Sequence, residues 1–142
     1  MIVQTVRDAM VPEPTMLVAS ENAQQAGLSL ANPEVRAVFV CEDDGTLVGV
    51  ITRKTLVREV VAAGLDPKEV LLGRIAEPPL FTLDVSLPLD EAFHVLEEHD
   101  LERVPVVDGG RLVGVLSRAV VRRRLAEDEP PQPDPDPGSL VL

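Results

Sequence analysis

One stretch of this chain occurs twice. Leu-Val-Gly-Val-Ile-Thr-Arg at 47–53 returns as Leu-Val-Gly-Val-Leu-Ser-Arg at 112–118, with five identities and two conservative exchanges at an offset of 65 residues. The agreement extends upstream. Ala23, Ala26, Gly27 and Leu30, spaced as one stripe of a helix, fall on Leu89, Ala92, Phe93 and Leu96 at an offset of 66. Pro14 matches Pro79 at 65, and Val38 and Val40 match Val104 and Val106 at 66. Single-residue differences in loop length account for the slippage. A repeat of this size cannot bury a sufficient core alone, so the two copies are expected to pack together.

Each copy reads as the same series of elements. A short extended piece (16–18, or 81–83) leads to a helix for which Ser20 or Ser86 is the expected N-cap. In the first copy Asn32-Pro33 ends that helix, because the residue before proline avoids helical angles. Two β-branched runs follow, 35–41 with 46–51 and 104–107 with 111–116, joined by turn residues that make each pair a hairpin. A last helix starts at Thr52 or Ser117. Between the copies, Asp66-Pro67-Lys68-Glu69 has the signature of a further helix start, with Asp66 as cap and Pro67 at the first position. The expected architecture is an α/β fold of two tandem β-α-β-β-α repeats, 6–65 and 66–127, followed from 128 to 142 by an acidic Pro-rich tail. Proline at that density forbids helix and interior strand, and the tail is expected to be dispensable for folding.

Composition narrows the function classes. The formal charge is -11 and only three residues are aromatic, all Phe, which argues against a nucleic-acid partner. No apolar run approaches the roughly 18 residues of a membrane span, and no basic-then-apolar leader opens the chain. Cys41 is the one cysteine, so no internal disulfide or cysteine zinc site can form. A cytoplasmic protein is expected. His94 and His99 are five residues apart and do not share a helical face as a metal-binding pair would. Glu97, Glu98 and Glu102 read as a solvated face, and Arg122-Arg123-Arg124 as a triplet complementing a helix C-terminus. No set of nucleophile, base and orienting group is visible, so no catalysis is expected.

The element order, with Gly-Val-Ile-Thr closing the first hairpin and Arg-Val-Pro-Val-Val-Asp at 103–108, resembles the cystathionine β-synthase (CBS) domain. Two in tandem look like the Bateman module, a pseudo-two-fold pair with its sheets packed together that often dimerises. The resemblance covers roughly residues 6–126. It implies clefts between the repeats that bind an adenosyl ligand such as AMP, ATP or S-adenosylmethionine. The lining it implies is Thr15, Met16, Val38 and Phe39 with Thr52, Arg53 and Thr55 for the first copy, and Leu80, Val104 and Pro105 with Ser117 and Arg118 for the second.

The chemistry of Thr52 and Ser117 has its own argument. A Thr or Ser capping a helix leaves the first amides facing a cleft, where they and the helix dipole attract anions, and Arg53 and Arg118 follow in register. The family pattern also places an Asp three residues after that Thr or Ser to grip the ribose hydroxyls, and this chain has Thr55 and Val120 there. Losing a hydrogen bond to a charged group costs roughly 1.5–3 kcal/mol, about tenfold to a hundredfold in affinity. Two readings follow. One is a non-enzymatic sensor of an adenosyl ligand; the other is a ligand-independent dimerisation or protein-interaction scaffold serving an effector the sequence does not name. In both, a homodimer is expected. Leu56, Val57, Val60, Val61 and Ala63 give the helix after Thr52 an apolar arc wider than one sheet face requires, and a second copy buries the excess.

Overall fold

The computed structural model describes residues 4–12 and 15–128, so the tail expected from 128 lies, beyond Asp128, outside the described residues. The elements in chain order are α1 (Val6–Ala9), β1 (Val11–Pro12), β2 (Met16–Val18), α2 (Ala23–Leu30), β3 (Val38–Cys41), β4 (Leu47–Ile51), α3 (Arg53–Leu56) continued by a π-helical turn (Val57–Val61), α4 (Leu72–Ile75), β5 (Leu83–Asp84), α5 (Leu89–Glu98), β6 (Arg103–Asp108), β7 (Arg111–Ser117) and α6 (Arg118–Asp128).

The β-branched runs form both expected hairpins. β3 pairs antiparallel with β4, and β6 with β7, turning through Gly45 in the first and Gly109 and Gly110 in the second, all at positive φ. Each hairpin gains a parallel strand from its own copy, β2 beside β3 and β5 beside β6. A register shift falls between Val40 and Cys41 in one sheet and between Val106 and Val107 in the other, so even the irregularity repeats.

The segments that lead the two copies cross over. α1 places Val6 and Ala9 in the core of the second copy, with Leu83, Leu89, Leu96, Val104 and Leu116. α4 places Leu72 and Ile75 in the core of the first, with Ala23, Leu30, Val38, Val40 and Ile51. The backbone hydrogen bonds fixing them correspond one for one: Val6 N to Leu87 O (2.9 Å), Arg7 N to Val85 O (3.1 Å) and Leu89 N to Gln4 O (2.9 Å), against Leu72 N to Glu21 O (2.8 Å), Gly73 N to Ala19 O (3.0 Å) and Ala23 N to Val70 O (2.8 Å). Past each helix the chain continues onto the edge of the other sheet, β1 pairing with β7 and Glu77 exchanging two hydrogen bonds with Val50. The hairpin tips also meet, Leu47 N bonding Gly110 O and Leu112 N bonding Gly45 O at 3.0 Å each. Among the described residues no helix is long and apolar enough to cross a membrane.

Several sequence expectations need correction. The cap of α2 is Asn22, whose side chain accepts from Gln25 N at 3.1 Å, rather than Ser20. Pro88 precedes α5, and Ser86 instead gives its amide and hydroxyl to Asp84 Oδ1 at 2.8 and 2.6 Å in a local Asx turn. Both serines are displaced because the strand ends are themselves tight turns. No helix forms at 66–69: Asp66 Oδ1 accepts from Lys68 N, a turn, and the helix begins six residues later at Leu72. Strands β3 and β5 also start later than expected, at Val38 and Leu83: Val35 N is taken up by Asn32 O in a turn, and residues 81–82 have no ladder partner.

The glycine repeated in Leu-Val-Gly-Val marks each crossing. A Cβ on Gly49 would lie 2.5 Å from Glu77 O, and one on Gly114 would lie 2.8 Å from Val11 O and 2.7 Å from Met10 Sδ. Real side chains do not approach backbone so closely, so the crossing segment would have to move off the strand. We expect Gly49→Ala and Gly114→Ala each to destabilise by about 1–3 kcal/mol, read as a lower melting temperature by circular dichroism. Gly109→Ala meets no neighbour within 4 Å and tests only the positive φ.

Candidate functional site

A cleft of about 440 Å³ opens where the two copies meet. Its floor is built from cross-strand pairs at corresponding positions: Phe39 opposite Val50 on the β3–β4 ladder, and Pro105 opposite Val115 on the β6–β7 ladder. Val104 and Val11 extend that surface, and Pro79, Leu80 and Phe81 of the inter-repeat connection form one rim. Leu80 is 89% exposed, an apolar side chain standing in solvent at the cleft mouth. Behind it the Phe81 ring packs against the His99 imidazole with centroids 4.4 Å apart, which fixes the aromatic wall. Thr15 and the loop Glu34, Val35, Arg36 and Ala37 close the opposite side, with Leu101 and Arg103 beside β6.

Five of the sequence-predicted residues therefore line this cleft: Thr15, Phe39, Leu80, Val104 and Pro105. Val38 lies one residue from Phe39 but points the other way along the strand, fully buried in the first core. Met16 is 44% exposed on β2 and is not among the lining residues. Thr52, Arg53, Thr55, Ser117 and Arg118 lie outside the lining as well, and their bonding explains why.

Thr52 caps α3 and closes on Thr55. Thr52 Oγ1 accepts from Thr55 N at 3.3 Å, Thr52 N donates to Thr55 Oγ1 at 3.1 Å, and the hydroxyls are 3.1 Å apart. This is a capping box with Thr in place of the usual Glu or Gln. Thr55 is 1% exposed, so the position where the resemblance expects a ribose-binding carboxylate is a packed hydroxyl satisfied within the helix. Arg53 extends away to donate to Asn32 O at 2.8 Å, tying α3 to the end of α2. In the second copy Ser117 Oγ accepts from Val120 N at 3.4 Å, and Val120 offers no side-chain bond in return. Arg118 donates to Asp100 Oδ1 at 3.0 Å and to Glu102 Oε1. The Asp100 hydrogen bond, followed by the Glu102 charge, raises the Arg118 guanidinium above its ordinary value, so that cation is already neutralised by carboxylates. Asp100 reaches it from a left-handed conformation (φ 53°) just past α5, one that Asp tolerates better than most residues.

The charges that do face the cleft were not singled out in the sequence. Arg36 and Arg103 both line it, and neither forms an ion pair among the described residues; Glu34 adds one carboxylate. The signal was present as a cation close to the start of each hairpin's first strand, but Arg103 served there only as part of a fold motif. The cleft can thus take a flat apolar group against Phe39, Pro105 and Val115 while two guanidiniums meet an anion at its edge.

The two caps differ by one hydroxyl, which gives a direct test. Thr55→Val removes the return bond in the first copy and should cost about 1 kcal/mol. Val120→Thr supplies it in the second and should stabilise by a few tenths to about 1 kcal/mol. Urea titrations of both variants read the two signs.

Comparison with known proteins accords with this geometry. The hypoxic response protein 1 of Mycobacterium tuberculosis is 33% identical over 123 residues, spanning 87% of this chain and 86% of that protein. Its crystal structure, which holds two coordinated zinc ions, is similar with a TM-score of 0.72 at 32% identity, covering 85% of this chain and 98% of the other. Among the described residues here, no group of three or more His, Cys, Asp or Glu side chains is placed to hold a metal. The structure of CBSX2 in complex with AMP is similar with a TM-score of 0.67 at 29% identity, covering 87% and 96% of the two chains. The sequence profile of the CBS domain matches twice, over residues 6–62 and 72–127, each match starting at the helix that crosses to the other copy. This chain is a member of the CBS domain family, a tandem pair of those domains.

Proposed function

We propose that this protein is a non-enzymatic regulatory module that senses an adenosyl anion, with AMP as the simplest case, in the cleft between its repeats. The observation that carries the reading is the pairing of an apolar floor drawn from both copies with Arg36 and Arg103, two cations that form no ion pair among the described residues. The AMP complex of the similar protein CBSX2 supports the choice of ligand class. A ligand bridging both copies binds the closed arrangement better than a splayed one, and so can shift the relation of the repeats. The signalling form in this reading is a cytoplasmic homodimer acting on a separate effector. The ligand-binding set becomes Phe39, Leu80, Val104, Pro105 and Thr15 with Arg36 and Arg103. Thr52, Thr55, Ser117 and Arg118 then position helices around it.

One observation favours the scaffold reading: Thr52 and Thr55 bond each other, and the Arg118 guanidinium is held by two carboxylates, so the side chains that the family pattern would turn to a ligand are engaged within the chain. Calorimetry separates the two. AMP and ATP should bind, adenosine more weakly, and Arg103→Ala should lower AMP affinity by about tenfold or more while changing adenosine little. Absence of binding by all three to the wild-type protein selects the scaffold.

A further inference from the structure

The cleft between the copies joins three features that a peptide both acidic and apolar satisfies together. Arg36 and Arg103 line it and form no ion pair among the described residues, against one lining carboxylate, Glu34. Phe39 and Phe81 give it aromatic surface. Leu80 stands exposed on the rim, so covering that side chain takes an occupant that extends past the floor. Residues 129–142, outside the described residues, read Glu-Pro-Pro-Gln-Pro-Asp-Pro-Asp-Pro-Gly-Ser-Leu-Val-Leu. They hold three carboxylates, no basic side chain, five prolines and an apolar triplet at 140–142. Proline-rich segments dock on aromatic-lined grooves because the fixed φ of proline leaves little entropy to lose.

We propose that residues 129–142 dock in the cleft of their own chain and compete there with the anionic ligand. Reach permits it. α6 starts beside the cleft, because Ser117, the residue before it, pairs with the lining residue Arg103. The 11 residues of α6 then carry the chain about 16 Å away, at roughly 1.5 Å per residue. From Asp128 an extended Pro-rich chain returns about 19 Å by Asp134 and about 37 Å by Leu140, at roughly 3.1 Å per residue. Asp134 and Asp136 therefore come within range of Arg103 and Arg36, and Leu140, Val141 and Leu142 within range of the floor and Leu80. Charge selects the same place. A chain of formal charge -11 repels this segment at most surfaces, and the two guanidiniums of the cleft attract it. Tethering holds the segment at an effective concentration of roughly millimolar, so a contact too weak to form between separate molecules occupies the cleft. The docking needs only the cleft; the competition rests on the adenosyl reading above.

Two variants of the full chain test this, Asp134→Asn with Asp136→Asn, and Leu140→Ser with Leu142→Ser. In amide NMR spectra without ligand, the resonances of Arg36, Phe39, Leu80, Arg103 and Val104 should move from their wild-type positions in both variants and at every protein concentration. Those of the core residues Val60 and Leu96 should stay. By calorimetry AMP should bind each variant several-fold more tightly than the wild type, approaching about tenfold when the four substitutions are combined. Cleft resonances that are identical in the wild type and both variants overturn the docking, and AMP binding at unchanged affinity then leaves the sensor reading standing. Differences that grow with protein concentration place the segment in another chain and also overturn it. Cleft resonances that move while no form binds AMP uphold the docking and remove the sensor reading. If they move and AMP binds all forms equally, the segment lies beside the ligand and the competition is overturned.

Discussion

The exchange of leading segments holds this molecule together. Neither repeat completes its own core: α1 closes the second with Val6 and Ala9, and α4 closes the first with Leu72 and Ile75. Six matched backbone hydrogen bonds fix the exchange, each worth about 0.5–1.5 kcal/mol net. Because each domain borrows a helix from before the other's first strand, neither can open without exposing the buried side chains of a segment it does not own. The pair is therefore the folding unit, which is why a repeat of about 65 residues suffices.

The same exchange creates the cleft. β1 lies along β7, and the segment at Glu77 lies along β4, so the outer edge of each hairpin is occupied before a ligand arrives. What remains open is the space between the hairpins, floored by Phe39 and Val50 on one side and by Pro105 and Val115 on the other. The two requirements meet at Gly49 and Gly114, where the crossing backbone presses on the strand. A side chain there would disturb fold and cleft at once. Structure and cleft thus depend on the same crossing, for which the repeated glycine leaves room.

Much of this was legible in the sequence. The repeat offset, the two hairpins, the α2 and α5 stripes and the capping role of Thr52 and Ser117 follow from periodicity and turn chemistry, and all are present. The resemblance pointed to the CBS pair, and five of the proposed lining residues do line the cleft. Sequence reasoning failed where the partner of a residue is distant in the chain. α1 and α4 are four residues each, too short to announce themselves, and their first amides are received by the turn between strand and helix in the other repeat. Val38 failed for the opposite reason: alternation along β3 sends one residue to the core and its neighbour to the cleft, and the pattern alone does not say which. Arg118 looked available as a cation, but its neutralisation depends on Asp100 and Glu102, 18 and 16 residues earlier, on a loop whose geometry the sequence does not define.

The repeats have kept the paths of their strands and diverged on their helices. At matched positions Gly27 and Phe93 decide whether a groove is open or filled, Val57 and Arg122 whether the rim is apolar or charged, and Thr55 and Val120 whether a cap is doubly or singly bonded. None of these differences alters the path of a strand, since each lies on the helical layer rather than at the crossing glycines. A tandem fold with reciprocal closure leaves its helical faces free to diverge, because the core contacts that maintain it lie on the opposite side of each helix. The cleft is shared and so constrained by both copies; the outer helical faces belong to one copy each, and it is there that a symmetric pair can acquire an asymmetric contact.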